Sequence, residues 1–534
     1  MGFCYLNLIN KNTIMVYRSL AIIFVLTVLV GCKQKKQNAP NVMVSGKTEH
    51  YQEPYRPQYH FSPKEKWMND PNGMVYYKGV YHLFYQFYPE DIVWGPMHWG
   101  HAVSEDLLHW EHKPIALYPD EHGLIFSGSA VVDENNSSGF GTEENPPLVA
   151  IYTYHLMEGE KAGRKDFQTQ GIAYSLDNGD TWTKYAGNPV IGNEGIKDFR
   201  DPKVMWHKES EKWILTLVAG DHARFYSSEN LKEWTLLSGF GKDKGAHGGV
   251  WECPDLIPMT VEGTDEEKWV LLISINPGAP NGGSGTQYFV GDFDGNTFTT
   301  DQTETKWIDL GTDNYAGVTY NNAPETNPIF IGWMSNWTYA RDTPTEKWRS
   351  AMTMPRKLML NKTEGDYQLF NYPIDGVDKI ISEKEGIDVG IAANATETMS
   401  FKNLNQSEIR FTTSSRDFQL KLSNSAKDEL VLTIMGEDKT FILDRSRSGK
   451  VDFQEDFGKG VQQMPLPLLP EGEYEVRMLV DWSSIEIFIN GGQYVMTSQI
   501  FPNGNYTDLT IKNLSGDKLQ CNDFQVNEIK SVWE

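Results

Sequence analysis

The chain has 534 residues, too many for one simple core, and its formal charge of −24 excludes nucleic acids and anionic surfaces as partners, because either would need a basic face. Its 16 Trp, 25 Tyr, 25 Phe and 47 Gly, with short apolar segments, favour an all-β protein with many turns.

The N-terminus reads as a targeting segment. Arg18 precedes an apolar run from Leu20 to Val30, long enough for a signal-peptide core and short for a bilayer span. The run ends in Leu29-Val30-Gly31-Cys32, which resembles a bacterial lipobox in which Cys32 is lipidated and becomes the new N-terminus. Residues 1–32 are therefore expected to be a signal peptide with lipobox, and residues 33–54, polar and containing Pro40, a tether. The implied location is that of an exported, membrane-anchored bacterial lipoprotein, periplasmic or on the cell surface. Cys4 and Cys32 fall in this leader, which leaves Cys253 and Cys521 for one bridge at most. No metal-ligand spacing occurs, and no cofactor is expected. Nothing in the sequence speaks to oligomeric state.

Residues 55–365 repeat loosely. One recurring piece is a polar hairpin tip closed by an aromatic: Ser104 to Trp110, Ser175 to Trp182, Ser228 to Trp234 and Gly291 to Phe298. A second piece marks a strand start: Asp70-Pro71, Ser127-Gly128, Asp201-Pro202, Glu252-Cys253 and Tyr315-Ala316. Five such starts, at spacings of roughly 50–70 residues, predict a five-bladed β-propeller with one start per blade at the central axis. Asp70, Asp201 and Glu252 would then meet in one funnel. Locally, Asp70-Pro71-Asn72-Gly73 reads as a tight turn, with a side-chain acceptor, a fixed φ and a residue tolerant of positive φ.

Residues 372–534 change texture. Ser407–Phe411, Phe418–Leu422, Leu430–Ile434, Tyr474–Val480 and Ile485–Ile489 alternate apolar and polar between Gly and Asn turns, as strands of a C-terminal β-sandwich do. They carry no reactive constellation, so the sandwich is expected to serve stability.

Three carboxylates in an aromatic-lined funnel suit glycosidic bond cleavage, which needs one carboxylate at the anomeric carbon and one protonated acid at the leaving oxygen. Glu252, between Trp251 and Cys253, is expected to have apolar neighbours that favour its protonated form. Trp67, Trp94, Trp99, Trp333 and Trp337 are candidate walls for the C–H faces of a sugar.

The blocks Trp67-Met68-Asn69-Asp70-Pro71-Asn72-Gly73, Phe126-Ser127-Gly128-Ser129, Phe199-Arg200-Asp201-Pro202 and Trp251-Glu252-Cys253-Pro254-Asp255 resemble the signature blocks of glycoside hydrolase family 32. Trp94 to His101, Tyr118 to Gly123 and Gly332 to Trp337 also match that family of invertases, inulinases and levanases. The resemblance implies a five-bladed propeller followed by a β-sandwich, and a retaining hydrolase of β-fructofuranosidic linkages. It implies Asp70 as nucleophile, Glu252 as acid/base and Asp201 as transition-state stabiliser. Asn69, Gln86, Trp94, Phe126, Ser127, Arg200 and Trp333 match positions that bind the substrate.

Two segments depart from the family pattern: Asp313-Asn314-Tyr315-Ala316-Gly317, and Asp481-Trp482 in the sandwich, where an Arg is common at the position of Trp482. Neither is expected to touch the three carboxylates. The implied partner is a fructan polysaccharide or oligosaccharide, levan or inulin, with sucrose as a further substrate. The blocks look most like exo-acting enzymes, which release fructose. An endo-levanase releasing fructo-oligosaccharides is the alternative, and a non-catalytic fructan-binding lipoprotein is the alternative of another class. The insertion-like stretch Leu156 to Gln170 is expected to be a solvated hairpin rather than a rim to the site.

Overall fold

The computed structural model describes residues 51–363, 365–467 and 472–533. Cys32 and the leader therefore lie outside the described residues, as do residues 33–50 of the expected tether. The rest of that tether is not loose. Tyr51 stacks on Trp533 with ring centroids 4.0 Å apart, and Glu53 pairs with the buried guanidinium of Arg56 at 2.8 Å.

The chain is all-β. Between Lys66 and Pro373 it forms a propeller-like region of five sheets, each led by a strand that starts at one of the repeated motifs. These leading strands are Lys66–Tyr77, Leu124–Val132, Phe199–His207, Val250–Thr260 and Tyr315–Thr319. Each pairs antiparallel with the next strand in sequence, and each ladder is interrupted by a shift of register beside the motif. A bulge re-aims a side chain without ending the strand, which is why bulges collect at sites. The motif at Asp70 is accordingly not the expected tight turn. Lys66–Tyr77 runs straight through it, paired with Val80–Tyr88, with register shifts at Met68/Pro71 and Asn72/Val75. The residues that make a tight turn also make a bulge, and the buried flanks Trp67, Met68, Met74 and Val75 keep the segment in the sheet. Gly73 has φ +55°, and a Cβ there would come within 2.6 Å of the Phe84 ring.

Side chains and backbone tie neighbouring leading strands together. Gly128 N–H donates to Asn72, Val204 N–H to Ser129, Cys253 N–H to Asp201 and Thr319 N–H to Asp255, while Asn321 bonds Met74 and Tyr76. The hairpin tips recur as expected: the indole N–H of Trp110, Trp182 and Trp234 each donates to the carbonyl three residues earlier.

The last sheet of this region includes Asp366–Pro373, so the propeller-like region extends to Pro373 and the expected boundary at 365–372 falls inside a strand. Beyond it, a seven-stranded and a six-stranded antiparallel sheet make the sandwich. Strands such as Asp417–Ser423 and Glu429–Met435 alternate buried and half-buried residues, and Phe418, Leu420, Leu432 and Ile434 fill the space between sheets. Asp481 accepts from the backbone N–H of Gln58 and Tyr59, which ties the sandwich to the start of the propeller-like region.

Candidate active site

A pocket of about 380 Å³ opens at the N-terminal ends of the leading strands. Asp70, Asp201 and Glu252 line it together with Asn69, Gln86, Trp94, Phe126, Ser127 and Arg200, so residues up to 183 positions apart are brought to one place. Each carboxylate stands on a bulged strand. Asp201 and Cys253 have φ of 64° and 46°, and Ala316 has 54°, a left-handed conformation that costs L-residues energy and that the surrounding sheet must enforce.

Asp70 accepts from two side chains, one of them fixed in turn by a third. Ser127 Oγ donates to its Oδ2 at 2.7 Å, Asn69 Nδ2 donates to its Oδ1 at 3.1 Å, and Trp67 Nε1 fixes Asn69 by donating to its Oδ1 at 2.7 Å. Burial, with the charge of Glu252 nearby, pushes the Asp70 carboxyl up to about 6 despite these donors. Asp201 accepts the Cys253 N–H at 3.0 Å, and its own N–H donates to Thr153 Oγ1. Burial and the charges of Glu252 and Asp70 outweigh Arg200 and push Asp201 up to about 7. The Cys253 thiol lies between them, 3.8 Å from Asp70 Oδ2 and 3.6 Å from Asp201 Oδ2. Burial holds its pKa far above that of a free thiol, so it stays a neutral donor.

Glu252 does not have the apolar neighbours expected from Trp251 and Cys253. Successive side chains of a strand point to opposite faces. Trp251 is wholly buried among Phe289 and its neighbours, with its N–H on the Ala246 carbonyl. Glu252 instead meets Arg200, whose Nη2 donates to Oε1 at 2.9 Å, and the phenol of Tyr315, which donates to Oε2. Burial opposes the Arg200 charge, but Glu252, Asp201 and Asp198 together outweigh it and raise its pKa.

The segment from Asp313 to Gly317 therefore does reach one of the three carboxylates, Glu252, through Tyr315, contrary to expectation. The signal was available, because Tyr315 occupies the fifth of the repeated strand starts. Asp481 and Trp482 are not among the residues lining the pocket.

The aromatic walls divide. Trp94 and Trp337 line the pocket, while Trp67, Trp99 and Trp333 are at most 1 % exposed. Trp333 thus sits one layer behind the surface proposed for it, packed on Trp67, Trp337 and Tyr315. Its strand, Ile329–Met334, is buried at every position, so a Trp there reads as wall from sequence and is backing in the fold. The stretch Leu156 to Gln170 is only partly the expected solvated hairpin. Glu158, Lys161, Arg164 and Lys165 are exposed, but a short helix, Met157–Lys161, sets Glu160 at the rim, and Phe167 and Gln168 also line the pocket. Asp198, Asn276, Arg341 and His155 are further lining residues that no sequence motif announced.

The arrangement is three interacting carboxyl groups, a fixed guanidinium and an aromatic mouth, which suits acid–base chemistry on a polyhydroxylated ligand. The family model for the N-terminal domain of glycosyl hydrolases family 32 matches residues 60–373, and that for the C-terminal domain of the same family matches residues 377–528. A levanase of Bacillus subtilis (strain 168) is 45% identical over 502 residues, which span 91% of this chain and 72% of that protein. The crystal structure of an exo-inulinase from Aspergillus awamori superposes with a TM-score of 0.83 at 38% identity, covering 90% of this chain and 100% of that one. A β-fructofuranosidase from Schwanniomyces occidentalis, solved with fructosyl-erythritol, superposes with a TM-score of 0.80 at 32% identity, covering 90% and 99%.

Proposed function

The chain belongs to glycosyl hydrolase family 32, and on that premise we propose that it is an exo-acting, retaining β-fructosidase that releases fructose from the ends of levan or inulin, with sucrose as a further substrate. The observation that carries this reading is the meeting of Asp70, Asp201 and Glu252 with Arg200 in one small pocket. At about 380 Å³ the pocket lies within the range of ligand sites, about 300 to 1,000 Å³, and the exo reading is supported by the likeness to the Aspergillus awamori exo-inulinase.

In the reaction, an Asp70 oxygen attacks the anomeric C2 of the terminal fructosyl unit. Glu252 gives a proton to the leaving glycosidic oxygen as the C–O bond breaks, leaving a fructosyl ester on Asp70 and a Glu252 carboxylate. That carboxylate then takes a proton from water, the water oxygen attacks C2, and Asp70 leaves as carboxylate. Two displacements at C2 give net retention. Asp201 and Arg200 hold ring hydroxyls, and Asp201 stabilises the oxocarbenium-like transition state. Tyr315 and Arg200 fix the Glu252 carboxyl between them while its proton load changes.

The five sheets are read as five blades around the axis on which the pocket lies, and the lipobox-like Leu29-Val30-Gly31-Cys32 supports export and anchoring through lipidated Cys32. Incorporation of labelled fatty acid, lost in Cys32→Ser, is the check on the anchor. The central test is a product time course on levan, inulin and sucrose. Free fructose is expected from the first minutes; a ladder of oligosaccharides ahead of fructose would show endo-cleavage, and binding without turnover would show a fructan-binding protein.

A further inference from the structure

Glu160 stands at the mouth of the pocket on a five-residue helix, half-exposed, whereas Asp70 and Asp201 lie buried at its foot. Its position is set by a chain of hydrogen bonds that begins beside Arg200. The backbone N–H of Phe199 donates to Gln168 Oε1 at 2.7 Å, which turns the Gln168 amide nitrogen toward His155 Nδ1, 3.1 Å away. Nδ1 must therefore accept, so the ring proton of His155 sits on Nε2 and points at Glu160 Oε2, 3.1 Å away. The imidazole is clamped as well as polarised: Phe126 stacks on it with centroids 4.2 Å apart and Phe167 meets it edge-on. Burial lowers the His155 pKa, in keeping with a neutral ring that donates through Nε2. Glu160 Oε1 takes no hydrogen bond from the described residues.

This is more than a surface carboxylate near a groove. An exposed Glu on a short helix ordinarily samples many rotamers, and holding it costs side-chain entropy. Here a buried His, a buried Gln and a backbone N–H of the strand that carries Arg200 and Asp201 together fix one oxygen of a residue that lines the pocket, and leave the other free to accept. With the fructosyl unit over Asp70 at the foot, whatever occupies the mouth is on the leaving-group side of the bond to be cut.

We propose that Glu160 is a specificity-determining residue that accepts hydroxyl hydrogen bonds from the sugar on the leaving-group side, and that His155 is its positioning residue. The inference rests on the reading of the site as a β-fructosidase. A carboxylate acceptor matches a hydroxyl-rich leaving group and has nothing to offer a leaving group without hydroxyls.

The test compares the intact enzyme and E160A on an inulin-type fructo-oligosaccharide and on p-nitrophenyl β-D-fructofuranoside. Loss of a hydrogen bond to a charged group is worth roughly tenfold to a hundredfold. kcat/KM on the oligosaccharide is therefore expected to fall by about that factor relative to the aryl fructoside, mostly through KM. His155→Phe should shift the same ratio in the same direction by a smaller factor. Equal losses on both substrates, or none on either, would overturn the assignment. Failure of the unaltered enzyme to cleave either substrate would overturn the β-fructosidase reading instead, and the two failures are thereby separated.

Discussion

At the seam between the propeller-like region and the sandwich, the buried carboxylates Asp309, Asp313, Asp481 and Glu486 each meet a cation. Arg356 lies 2.9 Å from Asp309 and 3.2 Å from Glu486, Arg445 lies 2.6 Å from Asp313, and His60 lies 2.8 Å from Asp481. In the pocket, Asp198, Asp201 and Glu252 share the guanidinium of Arg200, and Asp70 has the neutral donors Ser127 and Asn69 instead. The consequences run in opposite directions. Glu486 is held below the usual carboxylate range, because Arg356 and His60 outweigh its burial, and His60 is pushed up to about 9, because Glu486 and Asp481 outweigh its burial. In the pocket burial wins, and Asp70 and Asp201 are raised. The same buried chemistry secures the fold where charges balance and supplies reactivity where they do not.

The largest expected effect breaks the pocket side alone. Glu252→Ala should lower kcat by about 10²–10⁴-fold on fructan, the usual cost of removing a general acid. Its melting temperature should stay level or rise, because a carboxylate is removed from a crowded set. A variant that keeps full activity would refute the role given to Glu252. The seam should behave in reverse. Arg356→Met leaves Asp309 buried without its cation and Glu486 with His60 alone, for which the expected loss is about 3–5 kcal/mol of stability. Denaturant unfolding measures it, and a loss below about 1 kcal/mol, the scale of an exposed pair, would show that the seam pairs carry little.

Tyr315 joins the two regions, two residues after the seam residue Asp313 and in contact with Glu252. Tyr315→Phe should cost roughly tenfold to a hundredfold in kcat/KM, the scale of one hydrogen bond to a charged group, and move the pH profile. An unaltered profile would mean that the phenol only packs.

The smallest effects are in pH dependence. As the proposed nucleophile, Asp70 must be ionised to attack, so kcat/KM should fall as pH drops through about 6. Because its folded pKa is raised above the unfolded value, the folded state binds the proton more tightly between about pH 4 and 6, and Asp70 subtracts stability as pH rises across that window. His60, also raised, works at the other end. Its contribution is complete below its ordinary pKa and is lost as pH rises through about 9. His60→Asn should flatten the alkaline fall in melting temperature and leave the acid limb of activity in place.

Much of this was legible in the chain order of residues. Repeated strand starts and hairpin tips announced the sheets, because turn and bulge chemistry is local, and period-two alternation announced the sandwich. Spacing placed Asp70, Asp201 and Glu252 at equivalent points of the first, third and fourth repeats, and equivalence is enough to predict convergence. Surroundings were not legible in the same way. Trp251 is next to Glu252 in sequence and on the other face of its strand, whereas Tyr315 is 63 residues away and in contact with it. Trp333 looked like a wall and is backing, since one layer of depth has no signature in an apolar run. Residue types at repeated positions thus determined which groups meet. Tertiary packing alone decided what lies against them, and with it the raised carboxyls, the Tyr315 phenol on Glu252 and the line from Phe199 through Gln168 and His155 to Glu160. Those depend on burial and on charges brought together from distant segments, and neither is a property of local sequence.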